Sequence, residues 1–169
     1  MKLYTIGYEG VTPTQLIAAL IRNSVRLVID VRELPLSRKP GFSKTPLSKS
    51  LLSAGIEYLS VPALGCPREI RNEYKHTADW GIYKLGFLDY LGRSDEALTN
   101  IRALAQTRIV CLLCYEANPY RCHRSMVAQS LVDLEPITFQ LAHLVATPEE
   151  TRVGLPLAPA FEVDRLSQL

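Results

Sequence analysis

The sequence contains no apolar run that approaches the roughly 18 residues of a membrane-spanning helix. Residues 1–7 lack the apolar core and the small-residue cleavage site of a secretory signal. A large excess of one charge sign is also missing, since 19 Lys and Arg residues face 17 Asp and Glu residues. We therefore expect a cytoplasmic protein with no membrane partner. The charge by itself gives only weak support for nucleic-acid binding.

The sequence does contain enough apolar material for a full core. Of its 169 residues, 47% are hydrophobic, a share that is ordinary for one globular domain. Short β-rich or apolar runs alternate with segments of helical periodicity and with a polar stretch, residues 68–80, that suits a solvated helix or a lid. We predict strands over residues 2–6, 26–31, 56–61, 108–114 and 136–145, and helices over residues 13–22, 44–54, 83–91 and 95–105 and from residue 122 or 123 onward.

This alternation predicts an α/β fold, a single domain with a mostly parallel central sheet and helices on both faces. Residues 26–31 and 108–114 are nearly continuous apolar runs, which is typical of central parallel strands. We assign residues 1–145 to the α/β domain. Residues 146–169 are rich in proline and weak in pattern, and we expect them to form a C-terminal extension.

Three of the four cysteines, Cys111, Cys114 and Cys122, lie close together in the sequence. In a cytoplasmic chain such clustering indicates metal, redox or nucleophilic chemistry, or small buried side chains. Zinc-binding Cys-x-x-Cys pairs sit on tight turns, whereas Leu112 and Leu113 separate this pair inside a predicted strand. Positions three apart on a strand point to opposite faces, so Cys111 and Cys114 cannot easily reach one metal or each other. We expect Cys111 in the core and Cys114 at the strand's carboxyl edge.

The segment from Cys114 to Arg124 combines the residue types of a reactive or anion-binding site. A helix start at Cys122 or His123 presents free N–H groups, which favour anions and lower the pKa of a nearby thiol. Arg124 adds a guanidinium suited to phosphate or carboxylate. The structural alternatives are packing for Cys122, an ion pair for Glu116 and no role for His123. The predicted catalytic residues, with a thiol as nucleophile and a carboxylate or imidazole handling protons, are Cys114, Glu116, Cys122 and His123.

Polar residues also end two other predicted strands. Asp30 and Arg32 end the second strand, and Tyr8 and Glu9 follow the first. Ligands of open α/β sheets bind at the carboxyl ends of the strands, so we expect these residues to meet the Cys114 segment in one crevice. Asp30 would then orient an arginine. The predicted ligand-binding residues are Tyr8, Glu9, Asp30, Arg32, Ser37, Arg38 and Arg124.

Several short motifs occur along the chain in a fixed order. They are Thr5-Ile6-Gly7-Tyr8-Glu9, Asp30-Val31-Arg32 with Pro35, Ser37-Arg38 and Phe42, Gly55-Ile56-x-Tyr58, Leu64-Gly65, and Cys114-x-Glu116 followed by Cys122-His123-Arg124. In type and order these motifs resemble the domain of unknown function 488 family. The resemblance runs from Leu3 to about His143, and it implies little about activity.

A more distant similarity is to rhodanese-like domains. Those domains have an Asp-Val-Arg strand end and a later strand that ends in a nucleophilic cysteine, and residues 28–32 and 110–114 are similar to these two elements. The loop from Cys114 to Arg124 is longer than a rhodanese loop and is interrupted by Pro119. A sulfur-carrying nucleophile at Cys114 is therefore a hypothesis.

Three functions stay open on the sequence alone. The first is an enzyme with a crevice for a small anionic ligand, a phosphate, nucleotide or carboxylate. The alternative is a non-catalytic nucleic-acid or nucleotide binding module with a basic rim of Lys39, Lys44, Lys49, Arg68, Arg71 and Lys75. The third is a metal-binding protein that uses Cys114, Cys122 and His123, although we assign no resident metal or cofactor. The oligomeric state is left open.

Overall fold

The computed structural model describes residues 1–134 and 138–147. Within them the chain forms one sheet and six α-helices, which confirms the predicted α/β fold. The strands are β1 (Lys2–Gly7), β2 (Leu27–Asp30), β3 (Glu57–Ser60), β4 (Val110–Cys114) and β5 (Gln140–Leu144), and the helices are α1 (Pro13–Arg22), α2 (Lys44–Ser53), α3 (Arg68–Thr77), α4 (Trp80–Leu91), α5 (Asp95–Thr107) and α6 (His123–Asp133).

Part of the predicted organisation falls outside this description. Residues 148–169 of the expected C-terminal extension lie beyond the described residues, as do residues 136 and 137 of the last predicted strand. The boundary at residue 145 therefore stays a prediction. Among the described residues, no helix combines the length and the apolar character needed to cross a membrane.

The five strands are parallel and lie in the order β3-β2-β4-β1-β5. The two most apolar runs of the sequence form β2 and β4, and every residue of these two strands is buried. Continuous burial requires cover on both faces, and that explains why these runs do not alternate with polar residues. The sheet therefore places the carboxyl ends of β1, β2 and β4 next to one another.

Helices cover both faces of the sheet, as predicted. Leu16 and Leu20 of α1 and Leu47 of α2 pack with Cys111 on one face. Helices α4, α5 and α6 cover the other face, where Cys114 lies in a separate core cluster. The two cysteines thus point to opposite sides of the sheet, which is the outcome expected for strand positions three apart.

Local sequence signals explain where several helices begin and end. Thr12 caps α1, because its hydroxyl accepts a hydrogen bond from the backbone of Gln15 while the Gln15 side chain accepts one from Thr12. Gly55 follows α2 with a φ of +72°, a conformation that glycine adopts readily. Helix α3 has no buried residue, so the polar stretch that contains it forms a solvated helix.

The end of β1 closely approaches the loop that follows β4. A Cβ atom added to Gly7 would lie 1.8 Å from the backbone oxygen of Glu116. No side chain fits there, because the neighbour is backbone and cannot rotate away. The absence of a side chain at Gly7 therefore lets two strand ends come together.

We predict that Gly7→Ala lowers the free energy of unfolding by about 1–3 kcal/mol, the usual range for overpacking. Gly86→Ala is the matched control, since its nearest neighbours are Ile70 carbons at 3.7 Å and alanine favours a helix by about 1 kcal/mol. Urea denaturation of both variants measures the difference. Equal stability of the two variants would contradict the close approach at Gly7.

Candidate active site at the carboxyl ends of the strands

Three strand ends form one continuous floor, as the sequence predicted. Beyond the last ladder pair of β1 and β4, the backbone N–H of Tyr8 donates to the carbonyl of Cys114 at 3.2 Å. On the other side of β4, the N–H of Val31 donates to the carbonyl of Leu113 at 3.1 Å. These bonds continue the sheet by one residue and fix the side chains that follow it.

Arg32 lies at the centre of this floor with an almost fully buried guanidinium. Its Nε donates to Asp30 Oδ1 at 2.8 Å, and one Nη donates to the Tyr8 hydroxyl at 2.8 Å and to the Phe42 carbonyl at 2.9 Å. Burial opposes the charge, but the bonds to Asp30 outweigh this effect and raise the pKa of Arg32. The predicted orientation of an arginine by Asp30 therefore applies to Arg32.

The Asp30 carboxylate has no exposed surface, and it also accepts a hydrogen bond from β3. The Tyr58 hydroxyl on β3 donates to Asp30 Oδ2 at 2.6 Å. Burial, followed by this hydrogen bond to Asp30, raises the pKa of Tyr58. One ion pair thus connects β1, β2, β3 and the loop that contains Phe42.

Four reactive side chains meet beside this network. Cys114 Sγ and Cys122 Sγ each donate to Glu116 Oε2 at 3.0 Å, and His123 Nδ1 lies 3.8 Å from Cys114 Sγ. One ligand atom from each residue can be chosen so that all four lie within 4.8 Å of one another. The structure therefore brings together all four residues predicted as catalytic. We call them the thiol cluster.

The electrostatics of the thiol cluster are governed by burial and by its internal hydrogen bonds. Burial raises the pKa of Cys122 well above its usual value, and the contact with Cys114 adds to the rise. For Glu116 burial is outweighed by the hydrogen bonds from Cys122 and Cys114, so the carboxyl pKa is lowered. For His123 burial is outweighed by Cys122, so the imidazole pKa is raised. The carboxylate is therefore ionised and accepts the hydrogen bonds of both thiols.

Arg124 supports the thiol cluster from inside the protein. It has no exposed surface, and its guanidinium donates to the main-chain carbonyls of Glu116 and Ala117 and to the hydroxyl of Thr5. The Glu9 carboxylate accepts a hydrogen bond from the N–H of Ala117 at 2.9 Å, so it fixes the same loop. Arg124 and Glu9 therefore lie outside the crevice wall, and their predicted ligand-binding roles stay predictions.

A crevice of about 350 Å³ opens above the thiol cluster. Cys114, Glu116 and His123 form part of its wall, whereas Cys122 lies behind them. The predicted ligand-binding residues Tyr8, Arg32, Ser37 and Arg38 also line it. Asp30 stays underneath as the partner of Arg32.

Cations surround the mouth of the crevice. Lys39 donates to the Tyr8 carbonyl at 3.1 Å, and Arg71 forms a salt bridge with Glu33. Arg38 is exposed, and among the described residues it forms no hydrogen bond or salt bridge. An arginine held at a crevice without a protein partner is available to an anionic ligand.

The remaining two cysteines are separate from this site. Cys111 is fully buried on the opposite face of the sheet, and burial raises the pKa of its thiol. Cys66 is buried against α4, and burial raises its pKa to about 11. Both are packed thiols, which confirms the core position expected for Cys111.

Four further residues line the crevice that the sequence does not assign to it. The sequence predicts Lys39 and Arg71 only for a basic rim and gives no role to Tyr115 and Glu33. The signal for Lys39 was its position beside Ser37 and Arg38. No sequence signal identifies the Val31 carbonyl, which accepts a hydrogen bond from His123 Nε2 at 2.8 Å, because it is a backbone group.

Comparison with known proteins gives one match. The family model described as domain of unknown function DUF488 matches residues 12–131, which include α1 to α6 up to Leu131 and the whole thiol cluster. No curated protein and no solved structure matches the chain. The similarity to rhodanese-like domains is not shown by these comparisons and stays a prediction.

We predict that Asp30→Asn lowers the free energy of unfolding by about 3–5 kcal/mol, because it leaves the buried Arg32 charge without its counter-ion. Tyr58→Phe removes only one hydrogen bond from the same carboxylate and is expected to cost about 1 kcal/mol. Urea denaturation of the two variants compares these values. A loss for Asp30→Asn no larger than that for Tyr58→Phe would contradict the central role of the ion pair.

Proposed function

The chain belongs to the DUF488 family, and we propose that its crevice is the active site of an enzyme that acts on a small anionic substrate. One observation carries the proposal. A thiol, a carboxylate and an imidazole line the same crevice as Arg38 and Lys39. Reactive groups beneath available cations are the combination that a substrate with a phosphate or carboxylate group requires.

Some cations at the crevice are paired with carboxylates and others are not, and this difference supports anion binding at the mouth. Arg32 is neutralised by Asp30, and Arg71 by Glu33. Arg38 has no protein partner in the described part of the chain, and Lys39 meets only a carbonyl and the face of Phe42. Arg38 and Lys39 are therefore the two cations that a ligand is expected to contact directly.

The thiol cluster supports catalysis rather than binding alone. Glu116 Oε2 accepts the hydrogen bond of Cys114 at 3.0 Å, and this contact makes Glu116 the candidate proton acceptor. Cys114 acts as a nucleophile if its proton passes to this carboxylate, whereas with a bound metal the same thiol acts as a ligand. Both uses put the reacting centre of the substrate above Cys114, on the crevice wall.

The non-catalytic nucleic-acid module receives less support. Of the six cations predicted for a basic rim, only Lys39 and Arg71 line the crevice, whereas Lys44, Lys49 and Lys75 are exposed residues elsewhere. Salt-sensitive binding of DNA or RNA that depends on Lys44 and Lys49 but not on Arg38 would favour the module over the enzyme.

We predict that inorganic phosphate, AMP or citrate binds the protein with one site per chain in isothermal titration calorimetry. Arg38→Gln and Lys39→Gln are each expected to weaken this binding about tenfold, because each removes a charged hydrogen bond. Lys49→Gln, an exposed lysine outside the crevice, is the matched control and should leave the affinity unchanged. Equal affinity in all three variants, or no binding of any of the three anions, would contradict the proposal.

Turnover is tested separately with a panel of phosphate monoesters and nucleotides followed by ³¹P NMR. We expect one or more of these compounds to be consumed by the wild-type protein. Glu116→Gln should abolish turnover without weakening the binding of the anion, because Glu116 handles a proton and a carboxylate does not attract an anionic ligand. Anion binding without turnover of any compound in the panel would contradict the enzyme and leave a binding protein.

A further inference from the structure

We infer that Cys114, Glu116, Cys122 and His123 form a tetrahedral site for one Zn²⁺ ion. The inference rests on the geometry of the thiol cluster. It rests on the proposed function only for what the metal would do to a substrate.

The donor atoms have nearly the separations of a zinc site. Tetrahedral zinc with Zn–S bonds of about 2.3 Å and Zn–N or Zn–O bonds of about 2.0–2.2 Å spaces its ligand atoms roughly 3.3–3.8 Å apart. Here His123 Nδ1 is 3.8 Å from Cys114 Sγ, each sulfur is 3.0 Å from Glu116 Oε2, and all four chosen atoms lie within 4.8 Å. Changes of about 0.5 Å in the sulfur–oxygen separations and of up to about 1.5 Å in the widest pair, which side-chain rotation can supply, convert this cluster into a metal cage.

The hydrogen bond of His123 to the backbone leaves one ring nitrogen for a metal. Its Nε2 lies 2.8 Å from the Val31 carbonyl, and a carbonyl only accepts, so Nε2 carries the hydrogen. In the neutral ring Nδ1 then keeps its lone pair, and Cys114 Sγ lies 3.8 Å from Nδ1 and 3.9 Å from Nε2, so the ring must turn to direct Nδ1 at a metal. Histidines that bind metals usually donate their other ring N–H to a carbonyl or carboxylate, which fixes the tautomer and the ring plane.

The negative charge of the Glu116 carboxylate also favours the binding of a cation by the thiol cluster. The Glu116 carboxylate is partly buried, its two side-chain donors are thiols, and within residues 1–134 and 138–147 it forms no salt bridge. Nearby Arg124 donates to main-chain carbonyls rather than to this carboxylate. Exchange of two thiol protons for one Zn²⁺ leaves the net charge of the cluster unchanged and gives the carboxylate a cationic partner.

The chemistry of the donors selects the metal. Two thiolates and an imidazole are soft or borderline ligands, which favour zinc over magnesium, calcium or manganese. Cys114 and Cys122 approach from a strand end and a helix start, so the site closes the loop between β4 and α6. The two cysteine ligands are therefore Cys114 and Cys122. They are not Cys111 and Cys114, whose side chains point to opposite faces of the sheet.

The metal would lie against the crevice. Cys114, Glu116 and His123 line the crevice wall, and of the four ligands the single carboxylate is the one that most readily gives way to an incoming oxygen. A zinc ion at this position would polarise a phosphate or carboxylate oxygen held by Arg38 and Lys39. In that form Cys114 is a ligand and not a nucleophile.

The test is metal analysis of the full chain, purified under reducing conditions and then titrated with Zn²⁺ and Co²⁺. We expect about one equivalent of bound zinc and a thiolate-to-cobalt charge-transfer absorption for the Co²⁺ form. Cys114→Ser, Cys122→Ser and His123→Asn should each reduce the bound zinc to less than about a tenth of the wild-type content. Cys66→Ala and Cys111→Ala, which alter the two packed thiols, are the matched controls and should retain it.

Two results would overturn the inference. One is wild-type protein that holds less than about a tenth of an equivalent after incubation with equimolar Zn²⁺, a result that does not depend on whether any variant folds. The other is loss of zinc to the same extent in the Cys66 and Cys111 controls. Circular dichroism of each variant establishes whether a loss of zinc reflects a missing ligand or an unfolded chain.

The outcomes for zinc and for the proposed function are distinguishable. Zinc binding without any anion binding or turnover would make the metal structural, so the site would stand and the enzyme would not. Anion binding and turnover by a protein that fails to take up Zn²⁺ would keep the enzyme and reject the metal.

Discussion

The buried guanidinium of Arg32 is the interaction on which the crevice depends. Burying a charge is costly unless every donor finds a partner, and here the partners come from different parts of the fold. Asp30 belongs to β2, the Tyr8 hydroxyl follows β1, and the Phe42 carbonyl belongs to the loop before α2. Tyr58 extends the same network to β3. The network therefore connects three strand ends and a crevice loop in one arrangement.

Arg124, which is also buried, holds together the loop on the other side of the crevice. Arg124 binds two carbonyls of the loop between β4 and α6, and this contact fixes the turn that brings Cys122 back to Cys114. Arg32 and Arg124 are thus framework residues. Arg38, which is exposed, and Lys39, which is half-buried, are the cations at the crevice that no carboxylate neutralises in the described part of the chain. The proposed zinc site and the proposed anion site share the crevice wall but use different side chains.

The sequence predicted much of this arrangement, because periodicity and strand geometry are local properties. The apolar runs at residues 26–31 and 108–114 correctly predicted the central strands, and the spacing of Cys111 and Cys114 correctly predicted opposite faces. The side to which each arginine points was not predictable. Arg124 looks like an anion ligand in the sequence, yet its contacts are carbonyls, since burial depends on how the loop folds over it. The pairing of Cys114 with Cys122 across eight residues likewise depends on a loop path that tertiary contacts determine.

The central claim is that one crevice holds an anion directly above the thiol cluster. A crystal structure of the protein with tungstate, a heavy tetrahedral oxyanion that stands in for phosphate, tests it most directly, because anomalous scattering locates the ion without bias. The account predicts tungstate within hydrogen-bonding distance of Arg38 and Lys39 and adjacent to Cys114. Tungstate bound elsewhere on the protein, with the crevice free of it, would contradict the account.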